Sequence, residues 1–499
     1  MNNLVVLPLL IPMLGGLITA IFRKNIIFRR LLSLLAIVLT GAASLLLAAQ
    51  ASRDGVQLLE MGGWPAPFGI VFVADMFSAL LLVTSSLVAM ACLLFAFRSI
   101  GEHRERFYFY PLFLFLIAGV NGAFLTGDLF NLFVCFEVIL LASYVLLSLG
   151  GTKIQLRETI KYVVFNAVSS MLFLVAVAYL YAVFGTLNMA HLAQLVAEAG
   201  QSGFISVIAV LLLIVFSLKS ALFLFFWLPG AYGAPPVAVA ALFAALLTKV
   251  GVYAILRTFT LIFYHQPGLT HDLMAVLAAL TMLLAGLGAV SGKDIRSILS
   301  YNVIIGVGFI IAGLAVFTLD SVIGSIYYLM HDMLMKALLF LLGGVIIIIV
   351  GHGRLQEISG LIRNHPLTGW LFFITALALT GLPPWSGFPG KVLIIRQALA
   401  GGAEHGGYFW LAGIALLSSL MVLYSLLRIF INGFWGETVL PRAMEKGSAK
   451  GLLYPCLILT LAGALLGIGA ELFYPYIALA GNGLMNPDIY LQAVLGEVI

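Results

Sequence analysis

The sequence predicts an all-α, polytopic membrane protein of about 14 transmembrane helices, and three observations carry that expectation. First, 63% of the 499 residues are hydrophobic and 9% are charged, against about 45–50% and about 25% in soluble domains; the mean hydropathy is +1.15. Too few polar side chains remain to cover a water-facing surface. Second, apolar runs of ~20 residues, the length that crosses a bilayer core, recur along the whole chain. Third, basic residues alternate between successive connections.

Cutting at charges, Pro/Gly clusters and polar runs gives fourteen segments. They fall at 4–22, 31–50, 70–97, 108–126, 129–149, 161–184, 204–228, 237–264, 272–290, 297–318, 321–350, 368–400, 408–435 and 452–475. The first has no basic residue ahead of its apolar run and is followed by Arg23 and Lys24, so it reads as a retained span and not a cleaved leader. The longest connections, 51–69 and 185–203, are under twenty residues and read as linkers. Several segments exceed the bilayer thickness, so tilt or breaks are expected.

Spans 7 and 12 are where breaks belong. Span 7 runs into FFWLPGAYGAPP, and span 12 contains LTGLPPWSGFPGK. Proline and glycine weaken the backbone ladder, which at membrane depth is tolerated inside protein or beside a wet cavity. The chain then divides into spans 1–3 (1–104), two five-span blocks (105–264 and 265–435) and a final span with its tail (436–499). An odd number of spans per block sets consecutive blocks in opposite orientation, an inverted repeat. The offsets at the two breaks differ: Lys219 precedes Pro229 by ten residues, and Lys391 follows Pro384 by seven.

Connections after odd spans hold seventeen of the 25 basic residues, among them Arg23, Arg29, Arg104, Lys153, Arg157, Lys161, Lys293, Arg296 and Arg442. Those after even spans hold Arg53 alone, with Asp54, Glu60, Asp128, Glu198, Asp272, Asp320 and Glu404. The odd connections are therefore expected in the cytoplasm and both termini outside. A net charge of +5 with scattered basic residues excludes nucleic-acid binding. Cys92, Cys135 and Cys456 fall in apolar runs without C-x-x-C spacing and read as packing residues.

Charges inside spans are costly and mark function or helix–helix ties. Arg257, Arg396 and Arg428 lie near span ends, where a long side chain can snorkel. Lys219, Lys249, Lys336 and Lys391 lie deeper, with Glu137, His331 and Asp332. Asp332 and Lys336 are four apart and can pair on one helix face, so a structural tie and a relay both stand. Glu137 has no partner within a turn, and Lys219 is one candidate. Lys219, Lys249 and Lys391 read as isolated ammonium groups that exchange protons, because burial disfavours the charged form. His331, flanked by Tyr327, Tyr328 and Asp332, suits a relay or a structural role.

Three stretches carry a resemblance. SLKSALFLFFWLPGAYGAPPVAVAALFAALLTKVGVYAILR holds Lys219 and Lys249, FNLFVCFEVILLASYVLL surrounds Glu137, and LTGLPPWSGFPGK precedes Lys391. Together they resemble the antiporter-like subunits shared by respiratory complex I and Mrp-type cation/proton antiporters. The likeness covers essentially the whole chain, most densely from about 105 to 430, and is strongest to the Mrp branch. Lysine at 391 differs from the glutamate of one complex I type, and no long carboxy-terminal extension follows the last span. One departure is that Ala221 to Phe226 hold no proline, where many relatives have one shortly after the span 7 lysine.

The resemblance implies roles. Glu137 and Lys219 form an ion pair whose making and breaking gates proton movement, and Lys249 bridges the two blocks. His331 and Lys336 continue the relay, and Lys391 is its terminal donor or acceptor. It implies a secondary transporter subunit and not an enzyme, working with other Mrp subunits in a hetero-oligomer of the bacterial cell membrane. Its cargo is H⁺ and Na⁺ or another monovalent cation, with no cofactor held by this chain. A proton-pumping membrane-arm subunit of a quinone- or hydrogenase-linked oxidoreductase is the alternative. A sodium site needs several oxygens, and the deep carboxylates expected here are Glu137 and Asp332 alone.

Overall fold

The computed structural model describes residues 2–22, 24–201, 203–405, 408–438 and 445–496, the stretch 401–405 as helical backbone. Arg23, Arg442 and the side chain of Glu404, three members of the charge pattern, lie outside the described residues.

Helices α1 (Leu7–Ile21) and α2 (Ile26–Asp54) open the chain. A hairpin follows, β1 (Gln57–Glu60) antiparallel to β2 (Val71–Ala74), with Gln57 opposite Ala74 and Glu60 opposite Val71. Next come α3 (Met76–Ser99), the single turn α4 (Glu102–Glu105), α5 (Phe109–Leu125), α6 (Leu129–Ser148), α7 (Lys153–Phe184) and the short α8 (Met189–Ala199). The chain continues through α9 (Phe204–Ser220), α10 (Leu228–Gly233), α11 (Val237–Leu261), α12 (Pro267–Ser291), α13 (Ile295–Val316) and α14 (Leu319–Val350). It closes with α15 (Pro366–Thr380), α16 (Gly387–His405), α17 (Phe409–Phe434), α18 (Leu453–Ile468), α19 (Ala470–Met485) and α20 (Pro487–Leu495).

Ten described helices are long and apolar enough to cross a membrane, or eleven when α18 and α19, bent by 81°, count as one span. Three more, α5, α9 and α15, are apolar but shorter. α9 and α15 are short because each stops at a left-handed residue, Ala221 (φ 63°) and Gly381 (φ 88°).

Several sequence boundaries need correction. The third span starts at Met76 and not at 70, because Val71–Ala74 pairs with β1 and Asp75 then caps the helix, its Oδ1 accepting from Ser78 N (2.9 Å). The connection 51–69 holds β1 and the connection 185–203 holds α8. Lys153, Arg157 and Lys161 belong to α7, whose start is fixed eight residues early by the capping box of Thr152 and Gln155. Arg29 and Arg30 likewise lie on α2, behind the Asn25 cap.

Caps also recur along the chain. Asp128 and Asp294 cap α6 and α13, and each forms an isolated antiparallel bridge, to Asn188 and to Arg354 respectively. α7 and α14 are both 32 residues long and both start at a threonine capping box, Thr152 and Thr318.

Helices α11, α13 and α14 form the interior, apolar on every side and buried almost throughout, while α1, α2, α7 and α17 turn much of their surface outward. The interior helices carry Lys249, His331, Asp332 and Lys336.

Candidate functional site

The predicted residues gather into three clusters. In the first, α6 presents Glu137, half-buried, about two turns after the Asp128 cap. Lys219 sits in the last turn of α9, buried, with its ammonium 4.8 Å above the Phe136 ring. The two charges are bridged by a hydroxyl. Ser170 Oγ of α7 donates to Glu137 Oε1 (2.5 Å) and accepts from Lys219 Nζ (3.3 Å). Ser169, its neighbour, donates to Val215 O of α9 (3.3 Å) and holds α7 against the lysine helix. The expected ion pair is thus mediated, with no Glu137–Lys219 contact among the salt bridges of the described residues.

The break in span 7 follows directly. Ala221 and Phe223 both take positive φ (63° and 60°), a conformation costing ~1–2 kcal/mol for a residue with a β-carbon. Phe223 N–H, freed from the helix ladder, donates to Thr281 Oγ1 of α12 (2.8 Å). The helix therefore ends at Lys219–Ser220, ahead of the Pro229 that the sequence pointed to, and no proline is needed. Gly251 of α11 admits the broken end, since a Cβ there would stand 2.6 Å from Ser220 N. Two residues before it is Lys249.

Lys249 anchors the second cluster and is not isolated, which corrects the sequence reading. Its Nζ lies 2.7 Å from Asp332 Oδ2 of α14, and Lys336 Nζ lies 3.4 Å from Asp332 Oδ1. Lys249 Nζ also donates to Ala244 O (3.0 Å). All three side chains are within 1% of complete burial. One carboxylate serves two ammonium groups on two helices, so the Asp332–Lys336 tie within α14 is half of the arrangement.

The third cluster surrounds the second break. His331 Nδ1 is 2.8 Å from Ser386 Oγ, in the turn between α15 and α16, and its Nε2 has no hydrogen-bond partner among the described residues. Lys391 in α16 donates to Leu379 O (3.1 Å), Thr380 O (2.9 Å) and Ser419 Oγ (3.0 Å). Those carbonyls are the open end of α15, where a cation is favoured by the helix dipole. The Tyr328 ring lies 5.2 Å from the His331 ring and 5.5 Å from Lys391 Nζ, placing one aromatic between them. Among the described residues no hydrogen bond joins His331 to Lys391.

Arg257 does not snorkel. It is 3% exposed, and its Nη2 is 2.7 Å from Asp75 Oδ2, the oxygen left over by the α3 cap. The rings of Phe77, Tyr253 and Tyr490 surround it at 5.2 to 5.5 Å. Asp75 is therefore a further buried carboxylate in addition to Asp332. Arg428 half-buries and donates to Val290 O (2.7 Å), while Arg396 is exposed. Sequence reasoning missed Ser170, Ser386, Ser419 and Thr281; the first shows only as a serine pair inside an apolar span.

The model of the family described as NADH:quinone oxidoreductase/Mrp antiporter, TM, matches residues 126–435. The chain belongs to this family. That stretch holds every member of the three clusters. Among its relatives, the chain is 51% identical to the D-type subunit of the Na⁺/H⁺ antiporter of Bacillus subtilis, over 100% of both chains. It is 48% identical to the equally named protein of Alkalihalophilus pseudofirmus, again over 100% of both. A chain of the Mrp complex from Dietzia sp. superposes with a TM-score of 0.91 at 31% identity, covering 99% of this chain and 100% of that one. A chain of respiratory complex I from Thermus thermophilus reaches 0.81 at 26% identity, covering 97% and 100%.

Proposed function

We propose that this chain is the D-type subunit of a Mrp-type Na⁺/H⁺ antiporter complex, a secondary transporter component and not an enzyme, embedded in the bacterial membrane. One observation carries the reading above others: the full-length match, at about half identity, to two proteins named as that subunit. A pumping role in a redox-linked complex is disfavoured by the same comparison.

Glu137, Lys219, Lys249, His331, Lys336 and Lys391 form the proton route. Glu137 and Lys219 gate its first cluster, Lys249 and Lys336 exchange over Asp332, and Lys391 is the terminal group. Support comes from the burial of the four lysines and His331 and from the hydroxyls, carbonyls and rings that these groups reach.

The chain is further assigned fourteen crossings with both termini outside, and two inverted five-span blocks with broken spans 7 and 12. The recurring caps support the repeat. Asp128 and Asp294, Lys153 and Leu319, and Asn188 and Arg354 each stand 166 positions apart. On that register Lys219 falls on Trp385, six residues before Lys391. The two break lysines are then not symmetry mates: one ends the first half-helix, and the other caps it from the second.

The test uses the whole complex in everted vesicles, read by Na⁺-dependent dequenching of a pH dye. Glu137→Gln keeps size and hydrogen bonding but removes the charge, so exchange should collapse while the complex still assembles. Glu137→Asp should retain part of the rate. Normal exchange by an assembled Glu137→Gln complex would sink the proton route.

A further inference from the structure

We propose that the Ser170 hydroxyl is the proton bridge between Glu137 and Lys219, a member of the relay in its own right; this rests on the proton route proposed above. Two independent observations point to it. The first is geometric. Ser170 Oγ lies 2.5 Å from Glu137 Oε1 and 3.3 Å from Lys219 Nζ, donating to one and accepting from the other. A hydroxyl has one proton to give and lone pairs to receive another, so it can do both at once. The second is positional. On the 166 spacing of the two blocks, Ser170 stands where Lys336 stands on α14, the equivalent 32-residue helix. The site that reaches into the second cluster with an ammonium reaches into the first with a hydroxyl.

The step balances within the three groups. The Ser170 O–H bond breaks and its proton forms an O–H bond on Glu137 Oε1. One N–H bond of Lys219 breaks and that proton restores the Ser170 hydroxyl. One proton has moved from ammonium to carboxylate, leaving a neutral amine and a neutral acid. Both charges vanish together, and with them the attraction that holds Lys219 toward α6 and α7. The reverse shift restores both charges. A bare salt bridge has no such intermediary, and a spacer without a hydroxyl cannot pass the proton. Ser169, bonded to Val215 O, keeps the bridge at its height along α9.

The experiment compares Ser170→Thr with Ser170→Val in the assembled complex, because the two side chains share a shape and differ by the hydroxyl. Ser170→Ala repeats the deletion without added bulk. The readout is Na⁺-dependent proton exchange in everted vesicles, with assembly checked on native gels and Glu137→Gln run alongside. Expected is a loss of about tenfold or more for Val and Ala, the scale of one hydrogen bond to a charged group, with Thr retaining at least about a third of the rate. Val or Ala exchanging at the normal rate overturns the bridge, as does Thr falling as far as Val. If Ser170→Val is normal while Glu137→Gln is dead, the bridge alone fails. A normal rate in Glu137→Gln removes the proton route itself.

Discussion

Asp332 is one carboxylate between two ammonium groups, and replacing the three members of that cluster should rank in an order fixed by distance and charge. At an effective dielectric of ~20 the Lys249 contact at 2.7 Å is worth ~6 kcal/mol of Coulomb attraction, and the Lys336 contact at 3.4 Å ~5 kcal/mol. Asp332→Asn removes both and leaves two buried ammonium groups facing each other. Losing one partner of a single buried pair costs about 3–5 kcal/mol, so this substitution should cost at least that. Lys336→Met leaves the shorter pair intact and charge-matched. The substitution removes the desolvation cost of one buried ammonium and leaves no uncompensated charge, so this variant should melt at or above the parent. Lys249→Met leaves Asp332 with the longer contact, ~1 kcal/mol weaker by the same Coulomb estimate, and belongs between the two.

The assay is thermal melting of the purified complex, with subunit retention followed on native gels. The expected order of melting temperature is Lys336→Met, then Lys249→Met, with Asp332→Asn lowest and prone to losing the subunit. An Asp332→Asn complex that melts with the parent would refute the idea that this carboxylate neutralises the interior. So would a Lys336→Met complex as unstable as Asp332→Asn.

Three further outcomes follow from the same geometry. Lys391→Arg should abolish exchange in an assembled complex, because a guanidinium stays charged at any working pH; Lys336→Arg should be tolerated better, and equal vesicle rates for the two would refute the distinction. Thr281→Val orphans the Phe223 N–H, a loss of ~1–3 kcal/mol, so hydrogen exchange at the 221–227 turn should speed up while α11 stays protected. For orientation, Gln201 and Gln155 are buried, so the probes go on exposed neighbours: a membrane-impermeant thiol reagent applied outside should label Glu198→Cys and not Lys153→Cys, and the reverse pattern overturns the topology.

The long apolar helices were legible because each is an apolar run of bilayer length, a property of neighbouring residues. Helix ends were less so. α7 reaches back through Lys153, Arg157 and Lys161, because a charged turn still forms helix once Thr152 and Gln155 cap it. The position of the first break stayed open for a similar reason. Proline suggested Pro229, yet the helix ends where Ala221 and Phe223 turn left-handed and a threonine from α12 takes the freed N–H.

Side-chain partners divide along the same line. Asp332 with Lys336 could be anticipated, since four residues on one helix bring two groups together. Lys249 with Asp332 could not, because 83 positions separate them and only the packing of α11 on α14 makes them neighbours. The same limit explains Arg257. Its place near a span end suggested snorkelling, and the fold instead supplied Asp75 from the start of α3, which packs against α11. A lone charge in a membrane sequence is therefore a claim about that helix alone. Lys249 and Arg257 found carboxylates on other helices, while Lys391 is met by carbonyls and a hydroxyl and Lys219 by a hydroxyl. That difference sets the two break lysines apart: neither has a carboxylate in direct contact among the described residues, so a proton leaving either one does not strand a bonded anion beside it.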